Sequence, residues 1–444
     1  MSGIPARHII VPERLGLPKF QSPLRLDEHS GGGRGRFIPE GVMIRHHIEY
    51  EPADLTAETE SVEVFFEKAG PRRDIYFDPL RTRAAIVTCG GLCPGLNTVI
   101  RSLFLELHFN YGVRSILGIR HGYRGLVPEH GLKPIELTCD FVSEIHKEGG
   151  TMLGTSRGPQ ALGVMVDFLE SQRIDILYCL GGDGTQRGAH AITTEASRRG
   201  LQIAVVGIPK TIDNDLSYCD KSFGFLTAVE EAAKVIHLAH TEARSTQRGV
   251  GLVKLMGRHA GFIACEAARA CQQVNFVLIP EVPFGLDGPE GVLAALDRRL
   301  DARDHAIIVV AEGAGQHLFR NKGEPERDAS GNAKLLDIGP RLQKEIQKYF
   351  EARNRPVVLK YMDPSYLIRS VPPTIEDQLL CDDLARRAAH AGMSGRTGVL
   401  VSTINNAFVH VPIAMACDGR RQVELESELW SSVLASTGQP PVFR

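Results

Sequence analysis

Three short segments hold the residues with the most chemistry to offer. Pro209-Lys210-Thr211-Ile212-Asp213-Asn214-Asp215 packs a lysine, a hydroxyl and two carboxylates into a single turn's length. Phosphorylating an alcohol needs each of these functions: a cation offsets charge on the group in flight, and a carboxylate must reach the hydroxyl proton. Asx-rich turns also arise for conformational reasons alone, so this segment by itself leaves both readings open. Gly181-Gly182-Asp183-Gly184-Thr185 sets a short carboxylate between glycines, a position suited to holding Mg2+ through oxygen beside phosphates. The competing reading is an aspartate that caps the helix starting at Gln186. In Cys89-Gly90-Gly91-Leu92-Cys93-Pro94-Gly95 the missing Cβ atoms let backbone amides approach an anion, although glycine turns that only reverse the chain are as common.

Each segment follows a short apolar run, and such runs recur from Ala84 onward. AAIVT (84–88), SILGI (115–119), DILYCL (175–180), IAVVGI (203–208), VGLVKL (250–255), NFVLI (275–279), AIIVVA (306–311), VVLKY (357–361) and GVLVS (398–402) read as strands, with helical patterns between them. That alternation predicts an α/β fold with mostly parallel sheets, which bind ligands where strand ends meet helix N-termini. Asn97 is placed to cap a helix carrying Val99, Ile100, Leu103, Phe104 and Leu107. Residues 1–79 carry Pro, Gly and charge without sustained periodicity and read as an arm without a core. Their run Gly31 to Arg36 could bind phosphate or RNA, but a mobile loop is the commoner meaning.

A chain of 444 residues is long enough for two domains. Its 51 basic residues nearly balance 53 acidic ones, so no global field points to nucleic acid or membrane. Nine scattered cysteines without a CxxC pair suggest thiols in a reducing cytosol, not a zinc or redox site. The N-terminal MSGIPARHIIVPERLG lacks the apolar core of a signal peptide, and no stretch approaches a membrane span. A cytoplasmic protein is the expectation.

CGGLCPGLN, LGTSRGP, LGGDGTQRGA, IPKTIDND, STQRG, LMGRHAG, VAEGAG and KYMDPSYLIR occur in the order seen in 6-phosphofructokinases. The chain resembles that family, in particular the long-chain branch of plant and trypanosomatid ATP enzymes, which is related to the pyrophosphate-dependent enzymes. The resemblance implies two three-layer α/β domains with an active-site cleft between them, plus an N-terminal extension over 1–79. A discontinuous nucleotide- and phosphate-binding domain would take 80–224 and 368–444, and a sugar-phosphate domain 225–367.

The implied reaction is Mg2+-dependent transfer of the γ-phosphoryl group of ATP to the C1 hydroxyl of fructose 6-phosphate, a step of glycolysis. Asp213 matches the general base, Lys210 stabilises the group in flight and Arg258 completes the catalytic set. Gly91, Arg157, Gly182, Asp183, Gly184 and Thr185 match the donor site, and Asp183 and Asp215 the magnesium side. Thr211, Asp213, Arg248, Met256, Gly257, Arg258, Glu312, Lys360, Tyr366 and Arg369 match the sugar-phosphate site. Taken singly, a surface arginine is usually solvated, and Met256 could simply be core. In the family the equivalents of Arg248 and Lys360 reach the site from a neighbouring subunit, which implies a homodimer or homotetramer. Leu92, Lys360 and Tyr366 depart from the short bacterial enzymes and agree with the longer branch.

The donor turns on two positions. Gly184 leaves room for the α-phosphate of a nucleotide where pyrophosphate enzymes carry aspartate. Lys210 argues the other way, since pyrophosphate enzymes share PKTIDND. Steric exclusion is the harder constraint, so ATP is expected and pyrophosphate is the alternative. GGDGT also marks NAD kinases and lipid kinases, but PKTIDND and MGR do not. A catalytically silent regulatory subunit would lack the base or metal aspartate, and both Asp183 and Asp213 are present.

Overall fold

The computed structural model describes residues 7–26, 36–49, 63–319 and 334–444, which divide into two compact units. Of the run from Gly31 to Arg36, all but Arg36 lies outside the described residues. Ten strands build the sheet of one unit and four that of the other. In chain order they are β1 (Arg7–Ile10), β2 (Met43–Arg45), β3 (Glu63–Lys68), β4 (Arg83–Thr88), β5 (Ser115–Ile119), β6 (Ile135–Glu136), β7 (Ile176–Gly181), β8 (Ala204–Pro209), β9 (Gly249–Leu255), β10 (Phe276–Leu278), β11 (His305–Ala311), β12 (Val358–Met362), β13 (Val399–Ile404) and β14 (Ala407–Pro412). The longer helices are α1 (Leu96–Leu105), α2 (Leu162–Ser171), α3 (Asp183–Arg198), α4 (Phe225–Arg244), α5 (Phe262–Cys271), α6 (Val292–Arg303), α7 (Ile338–Glu351), α8 (Ile375–Met393) and α9 (Glu428–Thr437).

In the first unit the sheet runs β1-β3-β14-β13-β8-β7-β4-β5-β6, with β2 beside β3. Its centre, β13-β8-β7-β4-β5, is parallel. β7 and β8 are buried along their whole length, which is why they read as continuous apolar runs instead of alternating ones. Leu177 and Val205 pack with Val166 and Leu169 of α2 and Ile192 of α3. On the other face Ile176 and Tyr178 lie against Gly392 of α8, so helices cover both sides. The second unit has a smaller, wholly parallel sheet, β10-β11-β9-β12. Val250, Leu252, Ile308 and Val310 face α6 and α7, while α4 and α5 pack on the opposite side. Among the described residues no helix is long and apolar enough to cross a membrane.

Three sequence expectations need correction. Residues before 80 are not all a coreless arm: β1 and β3 join the large sheet, and Phe66 and Ile75 are completely buried. The tail beyond 420 clusters with the second unit, not the first. There α9 packs on α5 and β10, and Val277 N donates to Gln439 Oε1 at 2.6 Å. Asn97 is not a cap, because Gly95 takes that place at φ 100°, where an added Cβ would lie 2.5 Å from Cys381 Sγ. Asn97 instead pins the distant 148–152 loop, donating to Glu148 O at 3.1 Å and accepting from Met152 N at 2.8 Å.

Glu67 explains how the early strands are anchored. Its buried carboxylate accepts from Arg396 Nη2 and Nε, both at 2.6 Å, from Arg14 Nη2 at 2.9 Å, and lies 2.8 Å from His410 Nδ1. Burial opposes ionisation of Glu67, but hydrogen bonds from Arg396 and His410 hold its carboxyl well below the usual range. Burial also pushes His410 down to about 4. Both groups therefore have lower pKa values folded than unfolded, so their contribution is complete above about pH 6.5. It declines as pH falls toward 4 through His410 and further as Glu67 protonates. The denaturant midpoint should accordingly drop between pH 6.5 and 4, and His410→Gln should flatten that drop. An unchanged slope in the variant would remove His410 from the account. Glu67→Ala should cost about 3–5 kcal/mol, because it strands buried cations.

Candidate active site

β8, β7 and β4 lie side by side, and each ends in one of the chemically rich turns. Lys210 ties these turns together. Its backbone N donates to Gly181 O at 3.2 Å, and its buried Nζ donates to Gly91 O at 2.6 Å. The LGTSRGP turn lies against the same place: Gly90 N donates to Ser156 O at 2.9 Å and Thr155 Oγ1 donates to Gly90 O at 2.7 Å. Arg157 stands exposed next to it. Gly91, Arg157, Gly182, Asp183, Gly184, Thr185, Lys210 and Thr211 thus all belong to one set of strand ends.

Asp183 opens α3, and Gly182 is the residue that caps the helix. The capping role considered for Asp183 is therefore not realised. Its carboxylate pairs with Arg187 Nε at 2.8 Å and with Arg420 Nη2 at 3.4 Å. The first turn of α3 presents N–H groups and the positive end of its dipole, a setting that favours anions. Gly184 is exposed, and a Cβ added there would meet nothing within 4 Å.

The second unit gathers a different chemistry at the ends of β9 and β11. Gly257 turns the chain after β9 at φ 129°, where a Cβ would sit 2.7 Å from Ala260 O. Arg258 N then donates to Asp213 Oδ2 at 3.3 Å. Glu312 is aligned beside this turn by Glu312 N to Leu255 O at 2.9 Å and Gly313 N to Gly257 O at 3.1 Å. Burial, followed by the negative charges of Asp215 and Glu312, pushes Asp213 up to about 8. Burial raises Glu312 as well, opposed by Lys254 and Arg258. A carboxyl raised in this way can hold a proton near neutral pH, which suits Asp213 as a general base. Arg369 is half-buried, with its guanidinium 4.7 Å from the ring centre of the exposed Tyr366.

Two expected residues are not brought into this group. Arg248 stands before β9, at the opposite end from Arg258, and seven residues at ~3.3 Å each separate them by roughly 20 Å. There its guanidinium binds Asp297 Oδ1 at 3.0 Å and Asp301 Oδ1 at 3.1 Å. Lys360 lies opposite Gly251 on the exposed edge strand β12.

Sequence reading also missed residues that support the site. Gln186 Nε2 donates to Gly181 O at 2.9 Å and to Cys179 O and Ile208 O at 3.3 Å, locking β7 to β8. Nothing local in the sequence announces this. Arg187 and Arg420 at Asp183 were equally silent. Lys254 did leave a signal, a charge interrupting the apolar run VGLVKL.

A phosphofructokinase family model matches residues 83–391. The chain belongs to the phosphofructokinase family. Among relatives, the ATP-dependent 6-phosphofructokinase of Borreliella burgdorferi is 46% identical over 434 residues, covering 96% of each chain. The ATP-dependent 6-phosphofructokinase of Trypanosoma brucei brucei is 47% identical over 370 residues, covering 83% of this chain and 75% of that one. A solved pyrophosphate-dependent phosphofructokinase from Nitrosospira multiformis superposes with a TM-score of 0.67 at 17% identity, over 81% of this chain and 92% of that one. That likeness concerns the fold, which is the two-domain, mostly parallel α/β architecture of phosphofructokinases.

Proposed function

We propose that this phosphofructokinase transfers the γ-phosphoryl group of ATP to the C1 hydroxyl of fructose 6-phosphate. The observation that carries the reading is Asp213, a carboxyl oriented by Arg258 N and raised toward neutrality first by burial and then by Asp215 and Glu312. Asp213 takes the hydroxyl proton while the sugar oxygen bonds to the γ-phosphorus and the bond to the bridging oxygen breaks, releasing ADP. Lys210, three residues earlier, supplies a cation for the group in flight, and Arg258 a second. Thr211, Met256, Gly257, Glu312, Tyr366 and Arg369 bind the sugar phosphate. Gly91, Arg157, Gly182, Gly184 and Thr185 hold the donor; all five lie in the first unit, whereas Met256, Gly257, Glu312, Tyr366 and Arg369 lie in the second.

Among the described residues no group of three or more His, Cys, Asp or Glu side chains is arranged around a metal. Mg2+ commonly binds through one or two carboxylates plus substrate phosphates, and Asp183, partly exposed at the start of α3, and Asp215 fit that pattern. When bound, Mg2+ offsets negative charge on the donor phosphates. The open space at Gly184 supports ATP as donor.

Fructose 1,6-bisphosphate formation should be measured with ATP and with pyrophosphate in parallel, each with and without Mg2+. The expected result is ATP-only, Mg2+-dependent activity. Pyrophosphate-only activity would overturn the donor, and no activity with either would favour a silent subunit.

The enzyme is also proposed to be a homodimer or homotetramer in the cytoplasm. The position of Arg248, remote from Arg258 of its own chain, supports a site completed by a second copy. Mixing inactive Asp213→Ser and Arg248→Ala chains under exchange conditions should then restore up to about a quarter of wild-type activity. A mixture as inactive as its parts would argue that each chain supplies its own arginine.

A further inference from the structure

β9 turns alternate side chains to opposite faces, and Val250 and Leu252 face the core shared with α6 and α7. Lys254 is the next residue on that face and is only 8% exposed. An ammonium at the end of an apolar row is unfavourable unless it is paired, and a hydrophobic residue would extend the row at no such cost. Here the pairing is specific. Lys254 Nζ binds Asp363 Oδ2 at 2.8 Å and Asp337 Oδ1 at 3.0 Å. Asp337 caps α7, accepting from Gly339 N at 3.2 Å. Asp363 Oδ1 accepts from Ser365 N at 3.2 Å, which shapes the turn leading to Tyr366 and Arg369. Each end of the bridge is therefore tied to backbone, one to a helix start and one to the 363–369 segment. Lys254 is also the foremost cation opposing the raised pKa of Glu312.

We propose that Lys254 is a positioning residue which, through Asp363, fixes the 363–369 segment so that Tyr366 and Arg369 meet the sugar phosphate. It does so without touching substrate. The proposal rests on the fructose 6-phosphate site described above. It concerns the acceptor alone, since both partners of Lys254 belong to the unit assigned to the sugar.

Lys254→Met in the full-length enzyme should raise KM for fructose 6-phosphate by about ten- to a hundredfold, the scale of a small misplacement of binding groups. KM for ATP should stay within about twofold, and calorimetric binding of fructose 6-phosphate should weaken in parallel. Lys254→Arg, which can still bridge two carboxylates, should recover most of the loss. Equal changes in both KM values, or a folded Lys254→Met enzyme with normal fructose 6-phosphate affinity, would overturn the proposal. If Lys254→Met does not fold, Asp363→Asn takes its place with the same expected acceptor-specific rise, and an unchanged KM there overturns it. Wild-type enzyme that neither binds nor turns over fructose 6-phosphate would defeat the site assignment as well; normal wild-type binding with unaffected variants would defeat only the role of Lys254.

Discussion

Asp213→Ser is expected to lower kcat by about a thousandfold, within the 10²–10⁴ range of a lost general base, while fructose 6-phosphate binding stays within about threefold of wild type. Serine is smaller and cannot accept the hydroxyl proton at neutral pH. Arg258 N loses one acceptor, but the turn after β9 keeps its bond from Gly313 N to Gly257 O. The same carboxyl predicts the pH dependence. Burial, then Asp215 and Glu312, push Asp213 up to about 8. The base works ionised, so kcat/KM, which reports the free enzyme, should fall as pH drops below about 8. Removing a neighbouring negative charge lowers that pKa, so Asp215→Asn should move the acid limb to lower pH even where it lowers the maximum rate. Near-normal turnover in Asp213→Ser, or an acid limb in the usual carboxylate range, would show that another group takes the proton.

Gly184→Asp should cut kcat/KM for ATP by on the order of a hundredfold or more, with thermal stability unchanged or slightly higher. The structure sharpens this expectation, because an added Cβ meets no protein atom within 4 Å. An acidic residue in the first turn of α3 is also favoured by the helix dipole, and replacing a helical glycine removes an entropic cost. The loss must then come from the ligand side, from bulk and like charge beside the nucleotide α-phosphate. Juxtaposed like charges cost several kcal/mol, and each 1.4 kcal/mol is tenfold. Parallel assays with ATP and pyrophosphate, together with a melting curve, check it. Full ATP activity in a folded variant would remove Gly184 as the determinant of donor choice.

Several features were legible because their causes are local. The central strands of both sheets are buried on both faces, so they appear as apolar runs bounded by glycine turns, and those read from sequence fall within one or two residues of their observed ends. The segments that follow β4, β7 and β8 could be picked out by residue type alone. The early strands were missed because β3 pairs with β14, far along the chain, and no local hairpin signal marks such a partnership. Asn97 has the right residue type for a cap. Gly95, whose left-handed backbone cannot be read from composition, starts the helix instead.

The sequence by itself determined the alternation of strands and helices, the family, and which side chains are chemically able to move a phosphoryl group. These depend on residue identity and short spacing. Only the tertiary structure decided that Lys210 reaches the carbonyl of Gly91, that Asp213 is raised by burial and then by Asp215 and Glu312, that Arg248 and Arg258 stand at opposite ends of one strand, and that Lys254 joins Asp337 to Asp363. Each of those outcomes depends on burial and on contacts between residues distant in the chain, and a pattern of neighbours carries neither.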